Sequence, residues 1–197
     1  MAPDRIHVFG ASGSGTSTLG RAIAERAGHV LLDTDDFYWL PSDPPYRTAR
    51  EVPARQALLG ADLSRRARWV LSGSLTGWGD PFLPQFDVVA FLEVPTEVRL
   101  ERLARREARR HGADRIAPGG DLRARHEDFL AWAAAYETGT REGRNRAKHE
   151  AWIRTLPPSL PFLRLDGTRP VDDLVDVVLG ISVPPGDASP PREAASR

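Results

Sequence analysis

A glycine-rich segment that could cradle an anion occupies residues 10–17, where the sequence reads G-A-S-G-S-G-T-S directly after the mainly apolar residues 6–9. Glycines let backbone N–H groups turn inward around an anion, and the N-terminus of a following helix adds partial positive charge. A hydroxyl side chain after the last glycine can hold Mg²⁺. We therefore predict a loop that binds nucleotide phosphates, with a Gly/Ser-rich turn that binds nothing as the alternative.

The expected phosphate-binding residues all lie in this loop or in the first turn of the helix after it: Gly10, Ser12, Gly13, Ser14, Gly15, Thr16, Ser17 and Thr18. Ser17 is also the expected Mg²⁺ ligand. The usual pattern is G-x-x-x-x-G-K-[ST], and Thr16 stands where that pattern has lysine. The lysine normally supplies charge to the transferring phosphoryl oxygens. Because Lys148 is the only lysine among 27 lysine and arginine residues, a substitute cation would be an arginine or Lys148; otherwise catalysis is weak or absent.

Acidic and hydroxyl side chains follow the next two apolar runs. Asp33, Asp35 and Asp36 come after residues 30–32, and a Ser-Gly-Ser triplet comes after residues 69–71. Parallel α/β sheets bind ligands at the carboxyl ends of their strands. A carboxylate there can hold Mg²⁺ through water, or accept the proton of a substrate hydroxyl that attacks a γ-phosphate. These residues are therefore catalytic candidates, although an isolated Asp in such a place can simply cap a turn or a helix.

The elements that must position these residues alternate between strands and helices. The apolar runs predict strands at 5–9, 30–32, 69–71, 88–92 and 161–165, and helical spacing predicts helices at 16–27, 51–67, 96–111, 121–136, 141–155 and 170–179. Residues 36–53 are expected to form a proline-rich loop, and residues 113–120 an exposed flap. This alternation implies an α/β protein with three α/β/α layers and a five-stranded parallel sheet.

Composition limits the domain count and the classes of partner. A chain of 197 residues with 41% hydrophobic content can bury one core. We expect a single domain over residues 1–183, with a helical lid inserted at about 108–150, and a proline-rich disordered tail at 184–197. A net charge of zero argues against a nucleic-acid partner. The absence of cysteine, of a leader-like start and of a long apolar run predicts a cytoplasmic protein with no membrane partner. We expect a monomer or a homodimer.

Arginines follow the fourth predicted strand at helical spacing. A Val-Pro pair precedes Arg102 and Arg106, which are four residues apart and so share one helix face, where guanidinium groups can clamp phosphates. A second basic cluster, which includes Arg141 and Arg144, lies further along the chain. A charged run of this kind can equally be a solvated helix face.

Together these motifs resemble the nucleoside, nucleotide and shikimate kinases among the P-loop kinases, related to adenylate kinase, over about residues 5–180. The D-T-D sequence at 33–35 is similar to that of shikimate kinases, which implies Mg²⁺-linked work for Asp33 and substrate or base work for Asp35. The Val-Pro motif and its arginine pair are similar to those of adenylate kinases, which implies that Arg102 and Arg106 lie at the root of a lid. The returning helix of such a lid would bring Arg141 and Arg144 back to the phosphates, and Asp36 would lie beside the substrate.

The resemblance implies an ATP- and Mg²⁺-dependent phosphotransferase that acts on a small acceptor, with a nucleotide or nucleoside as the expected class. Loops rich in aromatic residues at 37–46 and 78–82 suit a flat acceptor such as a nucleobase. Two other functions stay open. Thr16 favours a non-catalytic protein that responds to nucleotide, and a P-loop ATPase or GTPase is the third possibility, although the N-K-x-D sequence typical of GTPases is absent.

Overall fold

A parallel sheet forms the centre of the protein in the computed structural model, which describes residues 1–43 and 45–183. Within these residues the sheet has five strands: β1 (Arg5–Gly10), β2 (Val30–Asp33), β3 (Trp69–Ser72), β4 (Val88–Glu93) and β5 (Phe162–Asp166). Their order is β2-β3-β1-β4-β5, and every pair is parallel. The carboxyl ends of β1, β2 and β3 therefore lie side by side at one edge, as the sequence predicts.

Helices connect the strands and cover both faces of the sheet. They are α1 (Thr16–Ala27), α2 (Thr34–Tyr38), α3 (Val52–Ser64), α4 (Thr96–His111), α5 (Ala113–Ile116), α6 (Arg123–Ala134), α7 (Arg146–Ile153) and α8 (Val171–Leu179), with a 3₁₀ helix at Asp80–Gln85. α1 ends at Gly28, whose φ of 69° is the left-handed conformation common at helix ends. None of the helices in the described ranges combines the length and apolar character needed to cross a bilayer.

The core consists of two hydrophobic clusters, one on each face of the sheet. Ile6 and Val8 of β1 pack with α1 and α8 on one face, and Phe9 packs with Phe91 and with Trp152 of α7 on the other. Successive side chains of a strand point to opposite faces, so β1 contributes to both clusters and is buried from Ile6 to Gly10. This arrangement confirms the predicted three-layer α/β/α fold.

Some local predictions need correction. The flap expected at 113–120 begins with the short helix α5, and Ile116 is buried in it. Arg115 closes this segment by donating to both carboxylate oxygens of Asp121, at 2.9 and 2.6 Å. The loop predicted at 36–53 overlaps the end of α2, and its ends are joined by an antiparallel bridge between Trp39 and Ala49. The tail predicted at 184–197 lies outside the described residues.

Candidate functional site

The glycine-rich loop joins β1 to α1 in a conformation that needs glycine. Gly13 and Gly15 have φ angles of 83° and 98°, in the left-handed region that side chains disfavour. A Cβ atom on Gly13 would lie only 2.7 Å from the carbonyl oxygen of Arg99 on α4. The loop is therefore pressed against α4, and the free N–H groups of the first turn of α1 are available to a ligand.

A cavity of about 390 Å³ lies between this loop and one face of α4. The loop side is lined by Gly13, Gly15, Thr16, Ser17 and Thr18, and the helix side by Arg102, Leu103, Arg105, Arg106 and Arg109. The described lining residues include four arginines and no carboxylate. Backbone N–H groups on one wall and guanidinium groups on the other make a site that suits a polyanion. We refer to this space as the anion cavity.

The other three predicted loop residues, Gly10, Ser12 and Ser14, contact the loop itself or the rest of the protein. Gly10 has no room for a Cβ atom, which would lie 2.6 Å from the Ser14 hydroxyl oxygen. Ser14 is 1% exposed, and its hydroxyl has no hydrogen-bond partner among the described residues. Ser12 accepts a hydrogen bond from Arg99 through its carbonyl oxygen. These residues are not among those that line the anion cavity.

The two arginines predicted to share a helix face do share it, but their surroundings differ. Arg102 donates to the carbonyl oxygens of Ser14, at 3.4 Å, and Gly167, at 3.0 Å, so it touches the loop directly. Arg106 donates to a Glu107 carboxylate oxygen at 3.3 and 3.4 Å. The carboxylate partner leaves Arg106 less available to a ligand than Arg102.

Ser17, Asp33 and Ser72 form a group of oxygen atoms where β1, β2 and β3 end. Ser17 Oγ donates to Asp33 Oδ2 at 3.3 Å, and Ser72 Oγ donates to Ser17 Oγ at 3.4 Å. Asp33 Oδ1 accepts from the Asp35 N–H at 3.0 Å and so caps α2. Burial raises the pKa of Asp33, the Asp35 N–H lowers it, and the charges of Asp35 and Asp36 raise it further. A cation beside Asp33 would offset this cost of ionisation.

This oxygen group fits Mg²⁺ better than a metal held by protein alone. In the described residues, no cluster of three or more His, Cys, Asp or Glu side chains could enclose a metal ion. Mg²⁺ commonly takes only one or two protein oxygens and completes its shell with water and substrate phosphates. Ser17 and Asp33, the two side chains expected to hold Mg²⁺, lie within hydrogen-bonding distance of each other, and Ser17 lines the anion cavity.

The remaining two predicted carboxylates lie in the first turn of α2. Asp35 is half-buried and Asp36 is exposed. Partial burial of its carboxyl group nevertheless raises the pKa of Asp36, and the charge of Asp35 raises it further. Across from them, Arg110 of α4 donates to the Tyr46 hydroxyl at 3.3 Å; this bond raises the pKa of Arg110, and the Asp35 charge acts in the same direction. Asp35 is thus within electrostatic reach of the arginine-rich helix.

The structure does not bring Arg141 and Arg144 to the anion cavity. Arg141 donates to Asp128 Oδ1 at 2.5 Å, and the Arg144 guanidinium lies 5.6 Å from the centre of the Trp132 ring. Both arginines therefore hold the segment between α6 and α7 to α6. Lys148, the other substitute considered for the missing lysine, donates to the Gly143 carbonyl oxygen at 2.8 Å.

Several polar residues near the site were not predicted. Arg105 and Arg109 could have been found, because they lie three and seven residues after Arg102 on the same helix face. His149 could not. It is buried between the Tyr136 hydroxyl, 2.8 Å from Nδ1, and the Ser74 hydroxyl, 3.0 Å from Nε2. Burial lowers the pKa of His149 to about 3, so the ring is neutral at neutral pH.

YqaC of Bacillus subtilis is a relative of this protein along most of the chain. The uncharacterised protein YqaC of Bacillus subtilis is 44% identical over 174 residues, which cover 88% of this chain and 94% of YqaC. A cytidylate kinase of Pyrococcus horikoshii is 32% identical over 117 residues, covering 52% of this chain and 57% of that enzyme. No protein-family model matches the chain.

Solved structures with the same fold include a shikimate kinase and a deoxyadenosine kinase. A shikimate kinase from Bacteroides thetaiotaomicron has a TM-score of 0.54 and 16% identity, covering 91% of this chain and all (100%) of that one. A deoxyadenosine kinase from M. mycoides with bound dATP has a TM-score of 0.51 and 15% identity, covering 89% and 97% of the two chains. At such identities the likeness establishes the fold, which is that of the P-loop kinases.

Proposed function

Because this chain belongs to the same family as Bacillus subtilis YqaC and folds as a P-loop kinase, we propose that it is an ATP-dependent phosphotransferase acting on a small molecule. The observation that carries the proposal is the anion cavity, in which a phosphate-binding loop faces four arginines. The adjacent pair of Ser17 and Asp33 supports it, because a nucleoside triphosphate normally binds together with Mg²⁺, and these two side chains offer oxygen atoms beside the phosphate site.

Each part of the site has a role in this reaction. The N–H groups of the loop would bind the β- and γ-phosphates, and Ser17 and Asp33 would hold Mg²⁺, which would supply positive charge beside those phosphates. Asp35 accepts the proton of an acceptor hydroxyl as its oxygen attacks the γ-phosphorus, and ADP leaves. If the acceptor is itself a phosphate, Asp35 only orients it. Ser72 donates to Ser17 Oγ and so helps to orient the hydroxyl that would bind Mg²⁺.

Arg102 is the best candidate to replace the missing lysine. It already contacts the loop through the Ser14 carbonyl, and its Nη1 lies 3.8 Å from where a Gly15 Cβ atom would be. Two unit charges about 4 Å apart interact by about 4 kcal/mol at an effective dielectric constant near 20. A kinase that lacked both the lysine and a substitute cation would lose about that much stabilisation of the phosphates. Arg106 is the second candidate, since it lines the same cavity.

The acceptor is proposed to be a nucleotide or a nucleoside. Trp39 and Tyr46 pack edge to face on the segment after α2, with ring centres 6.1 Å apart, and each ring could stack on a flat acceptor. Arg55, which is 9% exposed, lies over the Tyr38 ring at 3.7 Å and makes no ion pair with the described residues. Such a cation suits an acceptor that carries phosphate. The partial likeness to a cytidylate kinase favours the same class.

Residues 108–150 are proposed to act as a lid, called here the helical insertion. They include α5 and α6, which pack on α4 beside the anion cavity. Closure of such an insertion over bound nucleotide would exclude water from the transfer reaction. The arginines on α4 would then be enclosed with the phosphates.

Calorimetry with ATP and with ADP tests nucleotide binding. We expect Gly15→Val to abolish measurable ATP binding, because its side chain would occupy the loop at a left-handed φ. Gly60→Ala is the matched control: Gly60 lies inside α3, and a Cβ atom there would have only an ordinary contact, 3.6 Å from Phe82. Equal ATP affinity in Gly15→Val and the wild type would refute the site.

The specific rival is a non-catalytic nucleotide-binding protein, favoured by Thr16 in place of lysine. It predicts ATP binding without transfer of label from γ-labelled ATP to any acceptor in a panel of nucleotides, nucleosides and small alcohols. A P-loop ATPase would instead release labelled phosphate at a rate that no acceptor changes.

A further inference from the structure

Arg99 is a buried cation that connects the phosphate loop with the helical insertion. It lies in the first turn of α4 and is 0% exposed. A single nitrogen, Nη1, donates to the Ser12 carbonyl oxygen at 3.3 Å and to the Ala133 carbonyl oxygen at 3.2 Å. Ser12 belongs to the loop, whereas Ala133 belongs to the last turn of α6. One guanidinium group therefore spans the two elements.

The rest of the guanidinium is held in place by the start of its own helix and by Val94, just before it. Nε donates to the Val94 carbonyl oxygen at 3.2 Å, and Nη2 donates to the Thr96 hydroxyl at 2.9 Å. The nearest carboxylate oxygen, on Glu137, is 3.7 Å away, and the centre of the Tyr136 ring is 5.1 Å away. A planar fork with five donors can satisfy several carbonyl groups at fixed angles, which an ammonium group on a flexible stem cannot.

The position of α4 makes this contact relevant to nucleotide binding. Its backbone abuts the loop at Gly13, as described above, and Arg102, one turn further along, bonds the Ser14 carbonyl. The loop is thus held to α4 at two carbonyl groups, those of Ser12 and Ser14. Only the Ser12 contact is shared with α6, so any shift of the loop must either move Ala133 or break a buried hydrogen bond.

We propose that Arg99 is a positioning residue with two effects. It holds the phosphate loop, residues 10–17, in its ligand-binding conformation before nucleotide arrives, and it couples nucleotide binding in that loop to the helical insertion. The coupling rests on the proposed function, since ATP is the ligand that would act on the loop. Presetting the loop requires no ligand and can be measured without one. Both parts depend on the same buried contact between Arg99 Nη1 and the two carbonyl oxygens.

Hydrogen exchange on the full chain tests both parts, with ATP–Mg²⁺ as the probe. In the wild type we expect saturating ATP to slow exchange at 123–139 by about fivefold or more, the low end of usual coupling strengths. Arg99→Lys keeps a charge but loses the bonds from Nε to Val94 and from Nη2 to Thr96, so its nitrogen is no longer fixed between the two carbonyl groups. We expect it to speed exchange at 10–18 without nucleotide, to weaken ATP binding by a comparable factor, and to lose most of the ATP effect at 123–139 even at saturation.

Two controls separate positioning from general stability. Val178→Ala removes core volume on α8, where Val178 is 0% exposed and far along the chain from the loop, so it should lower the melting temperature yet keep the ATP effect at 123–139. Arg123→Lys repeats the chemical change on the surface of α6 and should behave as the wild type. If Arg99→Lys does not fold, Thr96→Val removes only one anchoring bond of Arg99. It should change exchange at 10–18 and the ATP effect at 123–139 in the same direction but by less.

The outcomes separate this inference from the proposed function. If the wild type binds no ATP, the proposed function and the coupling both fail, and exchange at 10–18 without nucleotide still decides whether Arg99 presets the loop. If the wild type binds ATP but Arg99→Lys and Thr96→Val show wild-type exchange at 10–18 and wild-type ATP protection at 123–139, the inference is overturned while the proposed function stands. Loss of protection in Val178→Ala as well would also contradict it.

Discussion

Acid should destabilise this protein through two buried histidines, His7 and His149. Burial lowers the pKa of His7 to about 4 and that of His149 to about 3, from the ordinary histidine value of 6.5. His7 lies between the rings of Phe9 and Phe86, with centres 5.4 and 5.1 Å away, and its Nε2 has no hydrogen-bond partner among the described residues. A proton on either ring would be a buried charge without a counterion at hydrogen-bonding distance.

The sign and size of the effect follow from proton linkage. Above pH 6.5 both rings are neutral in the folded and the unfolded chain. Below it the unfolded chain binds protons that the folded chain does not, so the free energy of unfolding falls until the pH reaches the folded pKa values. Between pH 7 and pH 5 each histidine contributes a loss of about 2 kcal/mol. The pair therefore removes about 4 kcal/mol, a large fraction of a typical stability of about 5 to 15 kcal/mol.

Urea unfolding followed by tryptophan fluorescence at pH 7 and pH 5 measures this loss. His149→Gln keeps an acceptor for Tyr136 and a donor for Ser74 but cannot titrate, so it should lose only about 2 kcal/mol over the same interval. A wild-type change below about 1 kcal/mol, or the same change in His149→Gln, would refute the reasoning.

Three further predictions concern the anion cavity and the two side chains proposed to hold Mg²⁺, Ser17 and Asp33. Arg102→Ala should lower kcat/KM by about 100-fold or more, equivalent to about 2.7 kcal/mol of transition-state stabilisation. Arg106→Ala should lower kcat more than it weakens ATP binding, and steady-state kinetics and calorimetry measure the two effects separately. Turnover within twofold of the wild type in both variants would exclude these arginines as lysine substitutes. Thr16→Lys should not raise the rate of phosphoryl transfer, because Arg102 already supplies the cation; a large gain would show instead that the loop is a degenerate one. Ser17→Ala should raise the Mg²⁺ concentration needed for half-maximal activity, and an unchanged Mg²⁺ dependence would remove Ser17 from the metal site.

Features that depend on local spacing could be predicted from the sequence. The phosphate loop is a contiguous pattern, and its glycines do take the left-handed conformations that the pattern requires. Arg102 and Arg106 share a helix face because four residues make about one turn. Ser17 and Asp33 meet because parallel strands end at one edge of the sheet, a consequence of the strand and helix alternation.

Features that depend on distant partners could not be predicted. Arg99 bonds the carbonyl oxygens of Ser12 and Ala133, 87 and 34 residues away, and backbone acceptors have no sequence signature. Arg141 and Arg144 find their partners on α6, so their basic character alone says nothing about the cavity. The strand order also arises from non-local pairing, which apolar runs do not encode.

The central claim is that this chain moves a phosphoryl group from ATP to a small acceptor held near Asp35. Incubation with γ-labelled ATP, Mg²⁺ and a panel of nucleotides and nucleosides, followed by separation of the products, measures that transfer directly. We expect label in at least one acceptor with the wild type, and a loss of about 100-fold or more in rate with Asp35→Asn, the usual worth of a positioned base, at unchanged ATP affinity. ATP binding without labelled acceptor, or transfer that Asp35→Asn leaves intact, would contradict the account.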